Sequence, residues 1–288
     1  MNRKTKGVFL IILSALGYAI MGTFVKLSGD LPVAEKVFFR NLIGCIVALY
    51  IIIKKGDPLF GNKENRPALF LRGIGGTLGA MANFYAIGHL LLPNALMLNQ
   101  LSPFFLIIFS YLFLKENIKL FQSLSLIVAF IGVLFIIRPS SGMRILPALI
   151  GLSSAFFAGM SFTAIRYLGT REKTETIVFF FSFFSVIFTI PLIALHFVPL
   201  SMKQIIFLLL AGISTSIAQF ALTAAYRYSP AKEISIFSYT QIIFAGLLSL
   251  MIWGQVPNRT SLIGYVLVLF AALLIFVYNN KLSKKTII

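Results

Sequence analysis

Ten stretches of almost unbroken apolar sequence, each close to the thickness of a bilayer, restrict this chain to one kind of fold. They run over about 7–28, 33–53, 68–89, 93–114, 121–138, 147–168, 175–197, 204–226, 230–252 and 260–278. A helix crosses the hydrocarbon core with about 20 such residues. A membrane β-barrel would instead alternate polar and apolar positions, and these runs do not. Hydrophobic residues make up 59% of the chain and charged ones 11%, more apolar surface than a soluble domain of this size hides from water. The first run is too long for a cleavable signal peptide, and no A-x-A-like site with a soluble domain behind it follows. Pro32, Pro67, Pro93, Pro147 and Pro230 stand at or near the predicted helix starts, where a missing N–H costs nothing. The predicted fold is an all-α integral membrane protein with ten transmembrane helices.

The net charge of +17 would suggest nucleic acid in a soluble protein. Here the basic residues lie between apolar runs, so they read as topology signals and no nucleic-acid partner is expected. With the N-terminus inside, 18 of the 25 basic residues fall on the inner side and 7 on the outer. The inner set includes Arg72, Arg166 and Lys281; the outer set includes Lys26, Lys36 and Arg40. Both termini are therefore expected in the cytoplasm, with the cytoplasmic membrane as the location. No loop is long enough to fold as a separate domain.

The halves echo each other. A shift of 140 residues puts Ser14-Ala15 on Ser154-Ala155, Thr23 on Thr163, Lys26 on Arg166, Gly29 on Gly169 and Glu35 on Glu175. Shifts of 137 and 139 put Pro93 on Pro230 and Glu116 on Gln255. This predicts a five-helix unit used twice, over 1–140 and 141–288. Because five is odd, the second copy enters the membrane inverted, as in many transporters. Two such repeats in one chain make a monomer plausible.

Several of these residues carry a resemblance. Lys26 closing the first span, Phe38-Phe39-Arg40, the stretch Asn94 to Pro103, Leu114-Lys115-Glu116-Asn117 and Gly132 resemble the drug/metabolite transporter superfamily, EamA type. The resemblance covers nearly the whole chain. It departs at Gln255, where the family often has Glu, and at Phe180, where an Arg would echo Arg40. It implies a ten-helix transporter of a small metabolite. Members of similar appearance move amino acids, amino-acid derivatives such as S-adenosylmethionine, choline, nucleosides or riboflavin.

Polar side chains at membrane depth are costly unless they pair or face a cavity. Those farthest from the helix ends concentrate on spans 1, 3, 4, 6, 8 and 9, which are expected to line a central cavity. The candidates for substrate binding are Tyr18, Asn83, Tyr85, Asn99, Gln100, Ser102, Gln219, Tyr239 and Gln241. Pro103 interrupts the hydrogen-bond ladder beside Asn99, Gln100 and Ser102. Ser216, Gln219 and Thr223 share one face of span 8. Each of these groups also has an interhelical-glue reading, as do Gly75 and Gly79 as close-packing positions. Span 7, with Phe179-Phe180-Phe181-Ser182-Phe183-Phe184, reads as a peripheral, lipid-facing helix. Arg40, part-way into span 2, would bind a substrate carboxylate or cap neighbouring carbonyls.

Lys26 and Glu35 flank one turn, Arg166 and Glu175 its repeat mate. As gating candidates they would pair alternately as each face closes; as plain interfacial charges they would snorkel to headgroups. No Asp or Glu lies mid-span, which disfavours a carboxylate proton relay and a cation held by a deep carboxylate. A neutral, polar, aromatic cavity favours zwitterionic or neutral metabolites, amino acids and their derivatives first. Quaternary amines, nucleosides and riboflavin are the alternatives. A single cysteine, Cys45, and two histidines far apart, His89 and His196, leave no multi-cysteine metal site, no HExxH motif and no catalytic cluster. No metal, cofactor or catalytic residue is expected, and a membrane-embedded enzyme is the remote alternative. No GxxxxGK[ST] loop occurs, so energy would come from a gradient.

Overall fold

A computed structural model describes residues 3–114, 120–137, 145–168, 171–228 and 235–285. Among them every regular element is helical. The helices are α1 (Arg3–Leu27), α2 (Val33–Lys55), α3 (Arg66–His89), α4 (Leu92–Asn99), α5 (Ser102–Leu114), α6 (Leu120–Ile137), α7 (Ile145–Leu168), α8 (Thr174–Leu195), α9 (Met202–Tyr228), α10 (Thr240–Trp253) and α11 (Arg259–Lys285). Short 3-10 turns over Lys63–Asn65 and Ser235–Tyr239 precede α3 and α10. Seven segments are long and apolar enough to cross a bilayer, with α4 and α5 counting together as one. Shorter apolar stretches form α6 and the unit of the second 3-10 turn with α10. The remaining helix, α3, has 24 residues but dilutes its hydropathy with Arg66, Arg72 and five glycines. The protein is an all-α membrane protein of about ten helices.

Local chemistry explains the boundaries. Pro32 precedes α2, and Pro67, Pro93 and Pro147 fall within the first turns of α3, α4 and α7, as predicted; Pro230 lies outside the described residues. Gly56 and Gly254 end α2 and α10 with φ of 67° and 63° and return their N–H groups to the last turn. This is the left-handed C-terminal cap that glycine adopts without strain.

Two spans are broken, one of them beside the proline expected to interrupt it. The fourth is interrupted at Gln100-Leu101 between α4 and α5, and the ninth begins as a 3-10 turn before α10. Pro103 explains the first break, since it cannot donate to the carbonyl of Asn99. The pairing of helices follows a two-fold rule. α1 packs on α9 as α7 packs on α3; α2 packs on α8, α6 on α11 and α4 on α10. At the α6–α11 crossing, a Cβ on Gly264 would sit 2.6 Å from the carbonyl of Gly132, and one on Gly132 would sit 2.9 Å from that of Gly264. Gly75 and Gly79 let α3 lie as closely on α7, beside the backbone of Phe157 and Ala158, which bears out their packing role.

The expectation for span 7 is corrected. Phe179, Phe180, Phe181, Ser182, Ser185 and Thr189 of α8 are buried, because α8 packs on both α2 and α3. Phe180 meets Phe70 edge-on at 5.1 Å, and Phe60 stands over Phe179, Phe180 and Phe183. Exposed apolar side chains such as Tyr50, Ile53, Phe113, Met251 and Val266 form the belt that lipid covers.

The same helix pairing produces two end ties. At one end the loop after α2 wraps the turn before α8. Lys55 reaches Glu175 at 2.5 Å and Lys173 pairs with Asp57. Glu172 accepts from the Asn62 backbone and the Asn65 amide, both at 2.7 Å, and Thr176 donates to the Pro58 carbonyl. At the other end the segment after α8 closes on the turn before α2. There Glu35, 1% exposed, accepts from the Val198 N–H at 2.9 Å, and Gln204 donates to the Ser28 carbonyl.

Candidate functional site

The broken helices bring four of the sequence-predicted residues together. The Gln100 amide donates to the Gln241 side chain at 2.9 Å and to the Ser238 carbonyl at 3.0 Å. The Tyr239 hydroxyl donates to the Gln100 carbonyl at 3.1 Å. Asn99 donates to Ser154 of α7 at 3.0 Å. The Gln100 carbonyl, freed where α4 stops, is thus satisfied by the Tyr239 side chain, and the Ser238 carbonyl of the 3-10 turn by the Gln100 amide, which is how irregular backbone survives at membrane depth. Asn99 and Gln100 stay half-buried. Ser102 is buried at the start of α5, and Gln219 is buried in α9. The side chains of Thr223 and Ser235 lie outside what is described.

A second constellation forms on α1, α2, α3 and α8. Arg40 and Arg72 are 7% and 8% exposed. Arg40 lies over the Phe84 ring at 5.4 Å, and Arg72 lies flat on Phe181 at 3.9 Å. Arg72 also donates to Ser161 of α7 at 2.7 Å. The Nε of each arginine is buried without a hydrogen-bond partner. Tyr18 of α1, half-buried, is within electrostatic range of both guanidiniums, and these are within range of each other. Aromatic faces are a natural support for guanidinium, yet they do not neutralise it. Gly76 leaves the room that Arg72 occupies: a Cβ there would meet Arg72 Nη1 at 2.3 Å and Phe181 at 2.6 Å. Nearby on α3, the Asn83 side-chain oxygen is buried and unpartnered.

Arg72 is the residue that counting basic residues by loop missed. It lies six positions inside α3, next to the glycines 73, 75 and 76, and those glycines were the available signal. α2 and α8, which were not among the spans expected to line a cavity, contribute Arg40 and Phe181 to this constellation. Tyr85 is not brought to either constellation; it stacks on His89 at 4.1 Å near the end of α3.

Of the gating candidates, Glu35 and Glu175 sit in the end ties. Lys26 does not reach Glu35: its ammonium donates to the Leu90 carbonyl at 2.6 Å and lies 5.4 Å from the Trp253 ring, tying the ends of α1, α3 and α10. Glu35 is held by Val198 and Glu175 is bridged by Lys55. No group of His, Cys, Asp and Glu suited to a metal ion occurs among the described residues.

The EamA-like transporter family matches this chain twice, over residues 5–138 and 145–277. The chain belongs to that family. Among EamA-like relatives, the pseudopaline exporter CntI of Pseudomonas aeruginosa is 35% identical over 270 residues, 93% of this chain and 94% of that one. An uncharacterized transporter of Helicobacter pylori is 28% identical over 93% of this chain and 94% of its own. Mouse solute carrier family 35 member G1 is 27% identical over 88% of this chain and 73% of its own. One crystal structure at 14% identity superposes with a TM-score of 0.67 over 96% of this chain and 99% of that chain, which shows the shared fold. As an EamA-like protein, this is a multi-pass membrane transporter, and its relatives' names point to transport rather than catalysis.

Proposed function

We propose that this transporter exports a small amino-acid-like metabolite across the cytoplasmic membrane by alternating access. The observation that carries the reading is the pair of interrupted helices, α4/α5 and the turn before α10, locked to each other through Gln100, Gln241 and Tyr239. Discontinuous helices at matching positions of two halves are the usual seat of a substrate site in inverted-repeat transporters. The halves are 1–140 and 141–288, inverted relative to each other; the two-fold rule of helix pairing supports this. The majority of basic residues on one side supports cytoplasmic termini. The outward direction rests on the 35% identical relative named as an exporter. The two end ties are the parts that would open in turn. Asn99, Gln100 and Tyr239 face the substrate in this reading, with Tyr18 and Asn83 beside the arginine pair.

The test is exchange in proteoliposomes. Vesicles holding the purified full-length protein are loaded with a panel of amino acids, N-substituted amino acids and pseudopaline, and counterflow of labelled compound is followed. Saturable exchange that Gln100→Leu slows at least tenfold is expected. Flux no different from protein-free vesicles across the panel would reject the reading.

A further inference from the structure

We propose that Arg40 and Arg72 together form a binding site for the oxyanionic ends of a dianionic substrate. The proposal rests on the transport reading above and gives its substrate a charge class.

Two cations within electrostatic range of each other inside a membrane protein, with no acid facing either among the described residues, are an incomplete arrangement. A charged side chain at this depth is costly and normally finds a counter-charge. The only titratable group in electrostatic range of both arginines, among the described residues, is the Tyr18 hydroxyl. The acids that are described lie at the ends of the bundle, in the ties around Glu35, Asp57, Glu172 and Glu175. Each guanidinium is aligned by an aromatic face and keeps a buried Nε–H with nothing to donate to. A planar fork with free donors, packed on a ring, is the usual preparation for carboxylate or phosphate.

The spacing argues for two anionic ends. The end of α2 and the start of α3 lie at one level, since Lys55 and Asn65 both reach the 172–175 turn. From that level Arg40 is 15 residues back along α2 and Arg72 is 7 residues up α3. At 1.5 Å per residue their backbones differ in height by about 12 Å. Arg72 reaches up to the level of Gly76 and Arg40 lies against the ring of Phe84, eight residues farther along α3, so the guanidiniums stand apart by the span of a small molecule with an oxyanion at each end. Choline-like cations are excluded by the same field, and the two aromatic faces that would hold them are covered by guanidinium.

The experiment measures the thermal unfolding midpoint of the full-length protein in detergent, at constant sodium chloride. Succinate, L-alanine, inorganic phosphate and choline are the probes. A saturable rise with succinate, larger than that with L-alanine and absent with choline, is expected. Phosphate matching or exceeding succinate would identify the oxyanion as phosphoryl; succinate alone would identify it as carboxylate. Arg40→Gln and Arg72→Gln each should abolish the rise, and Arg72→Lys should keep less than half of it. Arg40→Gln should also raise the midpoint of the unliganded protein, because it removes a buried charge that has no hydrogen bond to lose. A lower unliganded midpoint for Arg40→Gln, or undiminished succinate rises in both glutamine variants, would overturn the site. So would a midpoint that follows ionic strength for every salt alike. Succinate binding without transport of any compound would sink the transport reading and leave the site. Exchange of amino-acid metabolites at wild-type rates in both variants would do the reverse.

Discussion

At the scale of single residues, burial and partner decide what each side chain does. Glu35 is a case where charge matters less than geometry. Its Oε1 holds the Val198 N–H, while Oε2 is buried without a partner. Glu35→Gln keeps an acceptor for the Val198 N–H and should lower the unfolding free energy less than loss of that acceptor does. Glu35→Leu strands a buried N–H and should cost about 1–3 kcal/mol; denaturant unfolding in micelles separates the two. Gly76→Ala places a methyl group on Arg72 and Phe181, and overpacking of that kind costs about 1–3 kcal/mol. The same variant should lose the Arg72–Ser161 bond, seen as a changed midpoint that Ser161→Ala no longer alters. Arg40 was legible in the sequence because an arginine inside an apolar run stands out. Arg72 was not, since a basic residue six positions from a helix start reads equally well as a topology charge. Only the tertiary contact with Phe181 of α8 separates the two readings.

At the scale of helices, hydropathy gave the number of spans and their ends to within a few residues. The break in the fourth span was legible from Pro103 beside Asn99 and Gln100, whereas the 3-10 start of the ninth was not. Propensity and period are silent about backbone groups that a neighbouring helix satisfies. The burial of α8 was misread for a related reason: a run of phenylalanines suits lipid and a helix interface equally. The link between the broken helices is testable as a coupling. A double-mutant cycle on Gln100→Leu and Gln241→Leu should give an interaction energy of about 0.6 kcal/mol and no more than about 1.7. The α6–α11 crossing is tighter, with glycine against glycine carbonyl. Gly264→Leu should therefore disrupt the fold more than Leu at Gly246, which has open space around it; folded yield after detergent extraction compares them.

At the scale of the molecule, the end ties differ in kind. One is built on Lys55–Glu175 and Lys173–Asp57; the other on backbone amides around Glu35. A shift of 140 places Leu195, which is 73% exposed, where Lys55 would be, so the sequence echo of Glu35 and Glu175 hides unequal partners. The chain's single cysteine offers a reporter. Cys45 is half-buried between α2 and α8, beside Ala48, Ile52, Val178 and Phe179. Lys55→Gln should raise its rate of modification by N-ethylmaleimide up to about fivefold, as expected for losing a part-exposed ion pair of about 1 kcal/mol or less. An unchanged rate would mean that the pair does not restrain that end. The inequality also makes the two compartments unequal to the protein. Dissolved ions screen exposed charges over a distance that shrinks from about 8 Å at 0.15 M to about 3 Å at 1 M, and so weaken a part-exposed ion pair more than an amide hydrogen bond. A cell that concentrates salt under osmotic stress would then loosen the end tied by ion pairs more than the other, so the hydration state of its surroundings reaches the protein without any dedicated sensor.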